Sequence, residues 1–188
     1  MATNSAQKES PMHPLHSRRQ ARIAMLAIGP AALRNQGAPG MVAAAQHYLA
    51  TLDLRQFNVA SKEAFLNVLN ALTETLANAF PEGGRGNWGA ARKSLNLFLR
   101  DVVESRSLCD RHHLAHVEPW LEVPLDSHVG EKLCSDWPRI INLTPDVSDE
   151  YQTLASIVAA MLGCSRVDLD LYMWRTEQVN DLLGNPDE

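Results

Sequence analysis

Apolar residues recur at helical spacing along most of the chain, and nowhere do they alternate long enough to predict a sheet. The clearest run is Ser61 to Phe80, where Phe65, Val68, Leu69, Leu72 and Leu76 share one helical face. Ser61 stands where an N-cap belongs, and Pro81 with the following glycines stops the helix. The same pattern predicts helices over Arg18 to Ile28, ended by Gly29-Pro30, and over Gly40 to Leu52, rich in alanine. A helix from about Trp88 to Leu108 carries two faces. Leu95, Phe98, Leu99, Val102 and Val103 form a core stripe. Lys93, Asn96, Leu97 and Arg100 form a mostly polar neighbouring face, suited to looking into a cleft.

A histidine-rich turn, Asp110 to His116, then leads through Glu118-Pro119-Trp120 to an extended Leu121 to Leu125. A short helix is expected from Asp126 or Ser127, and Pro138 with Ile140-Ile141 marks a loop or brief strand. Ser148, Asp149 and Glu150 open a helix to Leu162, with Gly163 as its C-cap. Val167-Asp168 starts a final helix ending at Gly184. Met1 to about Ser17 reads as a disordered lead-in, which leaves residues 18–188 as one helical domain. The expected fold class is all-α.

Composition changes this picture little: 188 residues, 45% hydrophobic and 21% charged, are those of an ordinary globular protein. The net charge of −5 does more, because any grip on nucleic acid must then rest on a local basic patch. Cys109, Cys134 and Cys164 are odd in number and widely spaced, so nothing suggests a disulfide framework, and a reducing, intracellular setting is expected. The stretch before Pro14 lacks the apolar core of a secretory signal. The longest apolar stretch, Ile23 to Leu33, contains Gly29 and Pro30 and is too short to span a bilayer. A cytoplasmic protein with no membrane role is expected.

Candidate chemistry centres on Lys93 and Asp126. Lys93 follows a glycine-rich turn, Gly83-Gly84-Arg85-Gly86-Asn87-Trp88, and Asp126 sits where the extended stretch meets a new helix. An amine and a carboxylate are the pair that imine-forming catalysis requires. The amine must be neutral to attack. Three features favour that form: the nearby helix N-terminus, the positive charges of Arg92 and Arg100, and the apolar flanks. Taken singly, each residue has an ordinary role, the lysine reaching to solvent and the aspartate capping a helix. The glycine turn adds backbone N–H groups of the kind that hold a phosphate.

The segment Val123-Pro124-Leu125-Asp126-Ser127-His128-Val129 resembles the catalytic-aspartate segment of the helix-hairpin-helix DNA glycosylase/lyases. The 33-residue separation of Lys93 and Asp126 is similar to that of the archaeal 8-oxoguanine glycosylase branch. Asp170 and Trp174 match the aspartate and tryptophan that this branch presents, one turn apart, to the base pocket. The resemblance covers roughly Ser61 to Arg175. It departs in three places: Asn87-Trp88-Gly89 replaces the usual Gly-Val-Gly of the hairpin, Leu97 stands where the branch carries an aromatic residue, and the region before Ser61 is short and without the tryptophan of the family's N-terminal base-reading part.

What the resemblance implies is a helix-hairpin-helix glycosylase-like fold with its active-site cleft between helices. The implied reaction is excision of a damaged or modified base, such as 8-oxoguanine, from double-stranded DNA by a monomer without a cofactor. Lys93 and Asp126 would be catalytic, with Asp170, Trp174 and Leu97 against the base. Arg85, Gly86, Trp88, Gly89, Arg92, Arg100 and His128 would contact DNA. The alternative is a non-catalytic DNA- or protein-binding module that kept the fold. Cys109, His112, His113 and His116, with Cys134, are zinc-ligand types, but their spacing fits no familiar zinc finger, and no metal is expected.

Overall fold

The computed structural model describes residues 14–173, and these are helical, with no strand among them. The helices are α1 (Pro14–Ala27), α2 (Met41–Ala50), α3 (Lys62–Ala79), α4 (Trp88–Glu104), α5 (Arg106–His112), α6 (Ser127–Leu133), α7 (Pro145–Leu162) and α8 (Leu169–Met173). Short 3-10 turns lie between several of them. None of the described helices is long and apolar enough to cross a membrane.

Local chemistry accounts for the best-formed elements. Ser61 Oγ accepts from the Ala64 N–H at the start of α3, a cap contributing about 1 kcal/mol. Thr144 does the same for α7 and is followed by Pro145 in the first turn. The apolar residues of α1 to α5 build one core cluster, centred on Phe57, Phe65, Phe98, Leu69 and Leu99. A second gathers Trp88, Val123, Leu125, Val129, Leu143, Tyr151 and Leu169. α4 belongs to both, through Leu95 and Phe98 on one side and Trp88 on the other.

Several expected boundaries move. α1 begins at Pro14, so residues 14–17 are helix and not lead-in; residues 1–13 lie outside the described range. The helix expected from Trp88 to Leu108 breaks at Ser105, whose extended backbone caps α4 and starts α5. α5 then takes in Asp110 to His112, and His113, in the left-handed conformation, closes it. Ile140-Ile141 forms a 3-10 turn. α7 begins three residues before Ser148 because Thr144-Pro145 is the stronger start signal. Arg166–Asp168 is a 3-10 turn, and the last described helix begins at Leu169; its expected end at Gly184 lies outside the described residues.

Candidate active site

The segment that delivers Asp126 is unusual. Leu121 to Leu125 is extended and buried but has no β-partner, so its backbone polar groups must be satisfied by side chains. Gln152, buried on α7, accepts from the Val123 N–H at 3.2 Å and donates to the Val123 carbonyl at 2.9 Å. Arg166 donates to the carbonyls of Trp120 and Leu121 at 2.9 and 3.0 Å. Glu122, 2% exposed, is held by Arg92 through two bonds of 2.8 and 2.9 Å and by Asn96 at 3.1 Å. The segment is thereby fixed against α4 and α7.

Asp126 follows directly as the N-cap of α6. Its Oδ1 accepts from the N–H groups of His128 and Val129 at 2.9 and 3.1 Å, which fixes the carboxylate. Its Oδ2 faces away from the helix and accepts from Lys93 Nζ at 3.0 Å. The capping role and the lysine contact thus fall on different oxygens of one carboxylate. The Lys93 side chain is largely withdrawn from solvent: 8% of it is exposed, against 15% for Asp126.

Both residues line a cleft of about 780 Å³ together with Leu97, Arg100, Asp170 and His128. Leu97 is half-buried and His128 is exposed at the rim. Arg100 donates to Asp170 and, at 3.0 Å, to Asp101, so its charge is balanced locally. Burial pushes the Asp170 carboxyl above its ordinary value and Asp126 adds to this, against the opposing charges of Arg100 and Lys93. Trp174 lies outside the described residues.

Other expected site residues are turned elsewhere. Arg92 is 2% exposed, bound to Glu122, Asn70 and Thr73, with its guanidinium carbon 5.2 Å from the Trp88 ring centroid. It is closed off from a phosphate, and its charge is paired with that of Glu122. Trp88 is itself core, so it is no surface contact. Gly89 is buried where α4 meets the Ile140–Asn142 turn; a Cβ there would lie 2.1 Å from the Ile140 carbonyl oxygen. Asn96 leaves the expected cleft face to bind Glu122. Arg85 and Gly86 remain exposed, although the Gly86 N–H is already donated to the Ala77 carbonyl.

The histidine cluster disperses. His112 is buried, His113 is exposed, and His116 bonds the Val59 carbonyl and meets Trp120 edge-on. Among the described residues no three His, Cys, Asp or Glu gather as a metal set.

The far wall was not foreseen. It comes from Leu26 and Ala27 on α1 and from Arg34, Asn35 and Gln36 in the loop after it, with Trp137 and Arg139 adjoining α6. Trp137 stacks edge-on to Tyr151 and packs on Gly130, where a Cβ would lie 2.1 Å from its ring. Arg139 adopts φ 67 and ψ 144, a backbone region rarely occupied outside glycine and a common mark of sites under functional constraint. These residues carry no distinctive spacing; only the fold brings them to Lys93. No family model, curated protein or solved structure matches the chain.

Proposed function

We propose that this chain is a DNA glycosylase/lyase of the helix-hairpin-helix type, excising a damaged or modified base through an imine on Lys93. The observation that carries the reading is the 3.0 Å contact of Lys93 Nζ with Asp126 Oδ2, held almost out of water at a cleft. The helix cap occupies Asp126 Oδ1 and leaves Oδ2 for the amine, the arrangement that proton transfer from Nζ requires.

The reaction begins with transfer of a proton from Nζ to Asp126 Oδ2. The freed lone pair attacks the anomeric carbon of an extruded nucleotide, and the glycosidic bond breaks with its electron pair leaving on the base. Asp126 passes its proton to the departing base, and the carboxylate so restored stabilises the positive charge on the sugar, more strongly in a shielded site than in water. Opening of the sugar ring then converts the lysine adduct to a protonated imine. The imine acidifies the adjacent sugar carbon; loss of that proton expels the 3′ phosphate and nicks the strand.

Leu97 and Trp137 supply apolar walls for a base, and Asp170 a carboxyl to accept from its ring N–H groups. An oxidised purine such as 8-oxoguanine is the leading substrate. The test is borohydride trapping on duplexes carrying 8-oxoguanine, uracil, an abasic site or no lesion. A covalent adduct that Lys93→Gln abolishes is expected, and the best-trapped duplex names the substrate class. Equal trapping by Lys93→Gln would refute the assignment. Duplex binding without any adduct would leave a binding module.

A further inference from the structure

From residue 14 to residue 52 the chain carries Arg18, Arg19, Arg22 and Arg34 and neither an aspartate nor a glutamate, although the whole protein has a net charge of −5. Of these, Arg34 lines the cleft, Arg18 and Arg22 lie on the helix that leads to it, and Arg19 donates to Ser107. Arg18 and Arg22 are one turn apart on α1, exposed, and share their face with Leu15, Met25 and Leu26. The opposite face of α1 holds Gln20 and Ala24 in the interior; Gln20 donates to the carbonyls of Leu49 and Leu52. The arginine face is therefore fixed outward.

Among the described residues Arg18, Arg22 and Arg34 form no ion pair. Leu26, 64% exposed, ends this face and is also a wall of the cleft, and Arg34 lines the cleft from the following loop. The basic surface is thus continuous with the site of Lys93. Guanidiniums without local carboxylates concentrate anions at such a surface, and an acidic protein that acts on DNA needs such a track.

Resting on the reading of Lys93 as acting on DNA, we propose that α1 and the loop after it are the surface that grips the phosphate backbone. Arg18 and Arg22 hold the strand along α1, and Arg34 meets the phosphates of the nucleotide entering the cleft. Grip by the glycine turn is weaker than its sequence suggests, because Arg92 is inside the protein and Arg85 is left as its exposed cation. A duplex suits this face better than an anionic membrane, because the arginines lead into a polar cleft holding an amine and carboxylates, where a lipid surface has nothing to occupy.

The test is a salt titration of binding to an undamaged duplex by fluorescence anisotropy, with full-length wild type and Arg18→Ala/Arg22→Ala. The slope of log affinity against log salt should fall by about 2 in the double variant, at roughly 0.9 per lost phosphate contact. Arg34→Ala should remove about one more contact's share. Arg106→Ala/Arg111→Ala, which deletes the same charge from exposed positions on α5, should leave the slope unchanged. Equal slopes in wild type and Arg18→Ala/Arg22→Ala would overturn the assigned surface while leaving the Lys93 reading intact. So would equal losses in both double variants, or a loss confined to binding of phosphatidylserine vesicles. A wild-type protein with no affinity for any duplex, modified ones included, would sink the DNA reading itself.

Discussion

Arg92 and Lys93 are consecutive residues of α4, and each pairs with a carboxylate of the same short segment, Glu122 and Asp126. The surroundings of the two pairs differ. Arg92 and Glu122 are both buried, joined by two bonds, and Asn70, Thr73 and Asn96 complete the hydrogen bonding of the pair inside the protein. Lys93 and Asp126 meet through one bond and open on a cleft. The planar guanidinium engages its carboxylate through two bonds, as suits a permanent clamp, whereas the single ammonium contact leaves the amine able to exchange partners. The first pair locks the segment in place. The second uses the position so obtained.

That contrast predicts opposite outcomes for neighbouring substitutions. The largest effect belongs to Lys93→Gln, which should lower excision by on the order of a thousandfold or more while leaving the unfolding temperature close to wild type. Comparable excision by the variant under single-turnover conditions would remove the distinction between the pairs. Glu122→Gln should do the reverse. Breaking a buried pair costs about 3–5 kcal/mol, a fall of roughly 10 °C in unfolding temperature for a chain of this size. Combining Arg92→Met with Glu122→Leu should recover much of that loss, since apolar replacement removes both buried charges together. A double variant no more stable than Glu122→Gln would show that the pair does more than satisfy itself.

A smaller effect tests how the segment is held. Gln152→Ala leaves the Val123 N–H and carbonyl without partners and should cost about 1–3 kcal/mol, measured by denaturant unfolding. It should also slow excision more than it weakens duplex binding, because Asp126 loses its fixed approach to Lys93. The smallest effect lies away from both pairs. Burial, reinforced by Arg111, lowers the pKa of His112, and its Nε2 has no bonding partner. Just below pH 6.5 the unfolded chain therefore binds a proton that the folded chain refuses, so stability falls as pH falls through that window. Replacing His112 with Leu should flatten this slope in unfolding temperatures recorded across it; an unchanged slope would assign it to another group.

The legible parts of this molecule are those governed by local rules. α3 follows from its spacing and from Ser61, and the entrance to α6 follows from Asp126. The Lys93–Asp126 pairing was expected from a resemblance in the Val123–Val129 segment, not from periodicity. Arg92 misled because α4 is buried on nearly all sides, so a polar residue beside the core stripe faces a second layer of protein and not water. The partners that make this tolerable, Glu122, Asn70 and Thr73, come from separate elements. The break at Ser105 involves neither glycine nor proline, and its one signal, a serine at an N-cap, is weak inside a continuous apolar pattern, whereas Thr144-Pro145 carried a clear one that outweighs the acidic run after it. The cleft's far wall depends on packing of α1 against α2 and α4, which no local pattern encodes.

The central claim is that one amine of this protein forms the covalent bond to DNA. The chain contains Lys8, Lys62, Lys93 and Lys132 in addition to its terminal amine. The most direct measurement is peptide mass mapping of the borohydride-fixed adduct formed on an abasic-site duplex. The account predicts the added sugar mass on Lys93. Its appearance on Lys8, Lys62, Lys132 or the terminal amine, with Lys93 unmodified, would contradict it.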